Sequence, residues 1–166
     1  MCLLQDRNIF YGESALCPHC RAQPKTVDHL ASRCEKMLHF DYVRRHNEIV
    51  RVLHSYMCSK YGLKRSKRLK GHVVEPVVSN EYVEIRFDVR VQTDTKIAAN
   101  RPDLQIYDKK AGEIIFIEVG VTSQDQLQTV ETEKLRKYDT LASEVSMIHR
   151  CPVKIIPYVL QCFSKL

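Results

Sequence analysis

The residues of this chain best placed to do chemistry are two acids that a short β-hairpin would carry to one spot, Asp103 in Arg101-Pro102-Asp103 and Glu118 in Ile117-Glu118-Val119. The runs from Pro102 to Tyr107 and from Glu113 to Val121 are rich in Ile, Val, Leu and Phe and predict strands, with Lys109-Lys110-Ala111-Gly112 as the turn between them. A turn centred between Lys110 and Ala111 opposes residues whose numbers sum to 221, so Gln105 faces Phe116 and Asp103 faces Glu118. Directly opposed side chains share a face with Cβ atoms roughly 4.5–5.5 Å apart. Two acids that close repel, and the usual remedies are a shared proton or a bound cation. A hard divalent ion such as Mg²⁺, held by one or two carboxylates together with phosphate oxygens and water, suits such a pair. The plainer alternative is a pair of exposed hairpin acids with no ligand.

Two helical patterns place further polar groups where apolar ones belong. Between Glu35 and Tyr61 the residues Leu38, Tyr42, Ile49, Leu53 and Tyr56 recur at helical spacing, and Gly62 closes the pattern. His46 falls on that buried stripe, next to Arg45 and Asn47. It reads either as a core histidine satisfied by a hydrogen bond, or as a side chain that reaches the acids and, with Asn47, holds a phosphate or a water. A second helix is expected from Gln124 to His149. At about 100° per residue, its stripe of Leu127, Val130, Tyr138, Leu141, Val145 and Ile148 includes Lys134, with Lys137 at its edge. A lysine in an apolar stripe must snorkel to water or find an anion. A phosphate, or Asp103 with Glu118, would supply one.

A third constellation is Cys17-Pro-His-Cys20, His29 and Cys34, the pattern C-x₂-C-x₈-H-x₄-C. Three thiolates and one imidazole at this spacing suit a closed tetrahedral Zn²⁺ site, which leaves no position for substrate and so has a structural or DNA-positioning role. His19 lies between two ligands and is not expected to be one. The surrounding residues, from about Tyr11 to Cys34, are too few to hold together by apolar burial and need such a staple. Cys2, Cys58, Cys151 and Cys162 have no ligand spacing and read as buried or incidental thiols.

The elements that must position these groups fit one ordinary core plus a small module in 166 residues. Residues 1–34 are expected to form an N-terminal segment with the zinc knuckle, and 35–166 the larger domain. Apolar residues at 44% and charged residues at 28% exclude disorder and fibrous classes. Tyr82 to Val91 alternates, with Val83, Ile85, Phe87, Val89 and Val91 on one face, and predicts a strand. Val153 to Leu160 predicts a last strand near an edge because it carries Pro157. The expected fold is α/β, a mixed four-stranded sheet with flanking helices in the order α-β-β-β-α-β. The net charge of +6 is concentrated locally, since no acid lies between Glu48 and Glu75 while Arg51, Lys60, Lys64, Arg65, Lys67, Arg68 and Lys70 do. That block suits a phosphate backbone, a solvated loop or a nuclear-import patch. With no leader and no apolar run long enough to span a bilayer, the expected setting is reducing and intracellular, away from membranes.

Taken in order, C-x₂-C…H-x₄-C, Arg45-His46-Asn47, Arg101-Pro102-Asp103, Glu118 and Lys134-Leu-Arg-Lys137-Tyr138 resemble the C-terminal zinc knuckle and restriction-like, PD-(D/E)xK endonuclease domain of site-specific non-LTR retrotransposon polyproteins. The likeness runs from about Cys17 to Tyr158. It implies a restriction-endonuclease-like core and a Mg²⁺- or Mn²⁺-dependent endonuclease that nicks double-stranded target DNA. The freed 3′-hydroxyl would prime reverse transcription of the element RNA by a polymerase in the same polyprotein, in the nucleus. Asp103 and Glu118 would hold the metal, and Lys134 or Lys137 would supply the catalytic amine. His46 and Asn47 would hold the phosphate or a metal-bound water, and Arg45 and the Lys64 to Lys70 block would hold the duplex, with Arg21, Lys25 and Arg33 adding backbone contacts. One departure is Gly120, where the wider superfamily places lysine two residues after the acid. Another is that no polymerase precedes the knuckle, so the chain reads as the tail of a longer polyprotein or a relic. The rival expectations are a catalytically inactive zinc-dependent nucleic-acid-binding module and a structure-specific repair or junction nuclease.

Overall fold

The computed structural model describes residues 16–26, 29, 34–64, 68–122 and 126–161, with backbone alone for 37–41 and 161. The expected contributions of Arg33, Arg65 and Lys67, and the start of the second helix at Gln124, lie outside the described residues. The fold is α/β, with elements in the order α1 (Glu35–Lys60), β1 (Val77–Ser79), β2 (Val83–Phe87), β3 (Leu104–Asp108), β4 (Glu113–Thr122), α2 (Leu127–Lys137), α3 (Asp139–His149) and β5 (Val153–Gln161).

The long first helix ends as its sequence predicts, with Tyr61 as C-cap and Gly62 at φ +72°, the left-handed conformation glycine adopts without a Cβ penalty. The sheet has five strands in the order β1-β2-β3-β4-β5, where four were expected. Strand β1 is three residues long with little burial, too short for alternation to reveal it. Strands β1 to β4 are antiparallel neighbours, and β5 joins β4 in parallel at the sheet edge, where Pro157 was expected to sit. The β3–β4 register is the one expected, with Leu104↔Ile117, Gln105↔Phe116 and Tyr107↔Ile114.

Two elements are shorter than the pattern suggests. The strand predicted to run to Val91 stops at Phe87, because Asp88 turns at φ +50° and its N–H bonds to the Asp103 carbonyl. Val83 and Ile85 therefore belong to the core under α1, while Val91 crosses to the core on the other face. The single helix expected to end at His149 is two helices that meet at Tyr138, whose φ and ψ of −113° and 6° are not helical. Only α3 buries residues deeply, through Leu141, Ala142 and Val145, and Ile148 is exposed.

Alternation along β4 sorts the layers. Ile115, Ile117 and Val119 face α1 and pack with Val50 and Leu53, whereas Ile114 and Phe116 face α3 and pack with Tyr138, Leu141 and Val145. Burial of these side chains on both faces supplies most of the stabilisation, at roughly 1.5–3 kcal/mol for each large one. The sheet is thus held between α1 on one side and α2 with α3 on the other.

Candidate functional site

The β3–β4 ladder stops at Leu104↔Ile117, one pair short of Asp103 and Glu118. Pro102 has no N–H with which to continue it. The Val119 N–H is taken instead by Asp103 Oδ2, at 2.8 Å. The same carboxylate oxygen accepts from His46 Nε2 at 3.1 Å, so the α1 histidine does reach the acid. His46 Nδ1 lies 3.3 Å from Asn47 Oδ1, and Tyr42, one turn earlier, stacks on the ring. Both ring nitrogens therefore face oxygen acceptors, an arrangement that favours the protonated ring. The Asp103 hydrogen bond raises the His46 pKa above its ordinary value against the opposing effect of burial. Burial works to raise Asp103, but the His46 bond and charge, the Val119 amide and the Lys134 charge together hold it below the usual carboxylate range.

Glu118 alternates with Ile117 and Val119 and so shares the face of β4 that carries Phe116, towards α2. Its side chain is 3% exposed, and Oε1 accepts from Lys134 Nζ at 2.9 Å and from Lys137 Nζ at 2.8 Å. Its other oxygen, Oε2, is buried without a hydrogen-bond partner. Burial would lower Lys137, yet its bond to Glu118 raises its pKa overall. The Lys134 in the apolar stripe is thus answered by an anion, and so is Lys137. The repulsion expected between the two acids is met by protein cations on each one separately, rather than by a proton they share.

Gly120 explains how a helix lysine comes so close. It shares the Glu118 face of β4, and a Cβ there would meet Val159 Cγ2 at 3.3 Å and Val130 Cγ1 at 3.4 Å. The missing side chain lets α2 settle on the strand at Val130, one turn before Lys134. The glycine therefore makes room for the helix that carries Lys134. Tyr138, in the apolar stripe and at the end of the Lys134-Leu-Arg-Lys137-Tyr138 run, has a buried hydroxyl that donates to the Arg101 carbonyl at 3.0 Å. It ties the joint between α2 and α3 to the turn that presents Asp103. Burial, ahead of the neighbouring charges, pushes its phenol up to about 12.

The second centre is the cysteine-histidine knuckle. The ligand atoms of Cys17, Cys20, His29 and Cys34 all lie within 4.8 Å of one another. Cys17 Sγ and Cys34 Sγ are 3.7 Å apart, close to the roughly 3.8 Å between two thiolates on one tetrahedral zinc. Cys20 Sγ and His29 Nε2 are 3.2 Å apart. The loop is closed by Cys17 N–H to the Gln23 carbonyl, Arg21 N–H to the Cys17 carbonyl and Cys34 N–H to the His29 carbonyl. His19 is exposed and outside the cluster, as expected. Burial opposes the Cys17 thiolate, but backbone N–H groups of Cys20 and His19 and the Cys34 thiol bring its pKa down to about 7. This donor set could hold a structural zinc, and its last ligand, Cys34, is the N-cap of the helix that carries His46.

The remaining basic residues expected to contact DNA lie on α1, on the segment that follows it and on the knuckle. Lys64 uses its three ammonium protons within the protein, on Ser55 Oγ at 2.8 Å, the Arg68 carbonyl at 2.7 Å and His72 Nδ1 at 3.2 Å. It pins the loop to α1. Arg68 and Lys70 are exposed on that loop, Arg45 is half-buried on α1, and Arg21 and Lys25 lie on the knuckle. No helix among the described residues is long and apolar enough to cross a membrane. No protein-family model matches the chain, and no curated protein matches it as a relative.

Proposed function

We propose that this chain is a metal-dependent DNA endonuclease, the C-terminal portion of a retrotransposon polyprotein, which nicks its chromosomal target in the nucleus to prime reverse transcription. The observation that carries the reading is Glu118, a buried carboxylate with two lysines on one oxygen and no partner on the other, one residue from the amide that holds Asp103. An unsatisfied buried carboxylate oxygen costs free energy unless something binds it. Asp103 and Glu118, with the Val119 carbonyl, are the hard oxygen donors that would hold Mg²⁺ or Mn²⁺. When bound, the ion would supply charge neutralisation at the scissile phosphate and a more acidic water.

The chain's own residues would do the rest. Lys134, the less exposed of the two lysines, is directed by Glu118 and would orient the attacking water or steady the developing negative charge. Lys137 would neutralise Glu118 when Lys134 engages the phosphate. His46, stacked on Tyr42, would keep Asp103 ionised through Nε2–H and would turn its Nδ1–H from Asn47 to a phosphate oxygen. The basic loop and the zinc knuckle would hold duplex flanks through phosphates, without reading sequence. The same ion pairs also favour a second reading, in which acids already neutralised by protein cations form a rigid, inactive module that binds nucleic acid.

Nicking of supercoiled plasmid with and without Mg²⁺ decides between them. The nuclease reading requires a Mg²⁺-dependent product lost in Asp103→Ala and Glu118→Ala. Undiminished cleavage by those variants would end the assignment. Salt-sensitive, Mg²⁺-indifferent binding with no product would establish the inactive module.

A further inference from the structure

The outward side of α1 carries a groove that the proposed cleavage does not use. Its cavity of about 460 Å³ is lined by Val52, Ser55, Tyr56, Ser59, Lys60 and, from the facing loop, Leu69. Tyr56 is 60% exposed and Val52, one turn before it, 46%, an aromatic and an aliphatic surface facing solvent side by side. The loop wall is fixed from both sides of Leu69. Lys64 holds the Arg68 carbonyl, and the Leu69 carbonyl accepts from the His72 N–H at 3.0 Å and from Arg51 Nη1 at 3.4 Å.

The direction of hydrogen bonding makes that wall rigid. Lys64 can only donate, so His72 Nδ1 accepts, His72 Nε2–H donates, and His54 Nδ1 receives it at 2.8 Å. The groove is therefore built before any ligand arrives. Its rim is cationic: Lys60 lines it, Arg51 reaches the Leu69 carbonyl, and Lys70, next to Leu69, is exposed. Glu48 is paired with Arg51 at 2.9 Å.

We infer that this groove takes one unpaired base of a nucleic-acid strand, stacked on Tyr56 between Val52 and Leu69, with the adjoining phosphates on the cationic rim. An apolar slot with an exposed aromatic face and a basic edge is the chemistry by which proteins hold single strands without regard to sequence. Tyr56 lies ten residues after His46, about 15 Å along α1. That spans roughly four nucleotides at about 3.4 Å each, so a strand leaving the proposed cutting site reaches the groove. The inference deepens the nuclease reading by giving the substrate a locally unpaired strand, yet it rests on separate residues.

The test is binding of the full chain to a short oligonucleotide carrying 2-aminopurine, in EDTA so that no cleavage intervenes, with DNA and RNA versions and the matching duplex as separate arms. Quenching of 2-aminopurine and preference for a single strand over the duplex are expected. Tyr56→Ala should weaken single-strand binding about tenfold and abolish quenching, whereas Tyr56→Phe should keep both. Because Tyr56 is exposed, unchanged circular dichroism and melting of the alanine variant confirm that it folds. An alanine variant that binds and quenches the single strand like the parent would overturn the inference. Absence of oligonucleotide binding at low salt would overturn it as well. Quenching without plasmid nicking would sink the nuclease reading and leave this one standing; nicking without quenching would do the reverse.

Discussion

Replacing Glu118 with Gln keeps the shape of the side chain and removes the charge that two ammonium groups share. In the parent, Oε1 receives protons from Lys134 at 2.9 Å and Lys137 at 2.8 Å, and the carboxylate is 3% exposed. Removing one partner of a fully buried pair costs roughly 3–5 kcal/mol. Here the lysine side chains are 20% and 45% exposed and can turn partly to water, which lowers the expectation to about 2–3 kcal/mol. For a chain of this size that is a fall in Tm of roughly 4–12 °C. Thermal and urea unfolding at neutral pH and low salt would read it. Lys134→Met, costly in the parent, should become nearly neutral in the Glu118→Gln background, giving a coupling energy of about 1–2 kcal/mol. Lys137→Met, at the more exposed partner, should couple less. If Glu118→Gln is as stable as the parent and the cycle closes with no coupling, the lysines do not engage Glu118 in solution, and the argument built on its remaining oxygen fails.

Three further outcomes are expected. His54, held neutral by burial first and by the His72 and Lys64 charges next, has its pKa lowered to about 4, so the unfolded chain binds a proton that the folded one refuses. Stability should then fall as pH drops from about 6.5 to about 4, by up to about 3 kcal/mol, and His54→Gln should flatten that slope in urea unfolding. The knuckle should bind one zinc per chain by elemental analysis, and a strong chelator or Cys17→Ser should release it and lower the melting temperature; metal-free protein with unchanged melting would count against a structural role. Gly120→Ala should cost about 1 kcal/mol by pushing Val130 and Val159 apart. It should also weaken the coupling between Lys134 and Glu118, and an unaltered cycle would show that the close approach of α2 does not set the lysine.

Much of the local structure was legible because it depends on nearest-neighbour patterns. The period of α1 and its glycine stop, the hairpin register through Gln105 and Phe116, the edge placement of Pro157 and the metal-ligand spacing from Cys17 to Cys34 are all set by repeats of two, three or four residues, or by turn chemistry. Lys134 was marked by the same logic, as a charge inside an apolar stripe. Where propensity competes with a distant contact, the pattern misled. Val89 and Val91 continue the alternation of β2, but Asp88 bonds across to the Asp103 carbonyl and the strand ends. The helical stripe runs through Tyr138, but its hydroxyl is drawn to the Arg101 carbonyl and the helix breaks there.

Residue order by itself determined which groups could do chemistry here: the two acids, the helix histidine and lysines, and the four soft ligands of the knuckle. Only the tertiary structure decided their pairing, with Asp103 bound to the Val119 amide and His46, and Glu118 to two lysines. The reason is that charge compensation depends on distance through space. The side chains that meet come from α1, the turn before β3, β4 and α2, far apart along the chain and brought together only by burying both faces of one sheet.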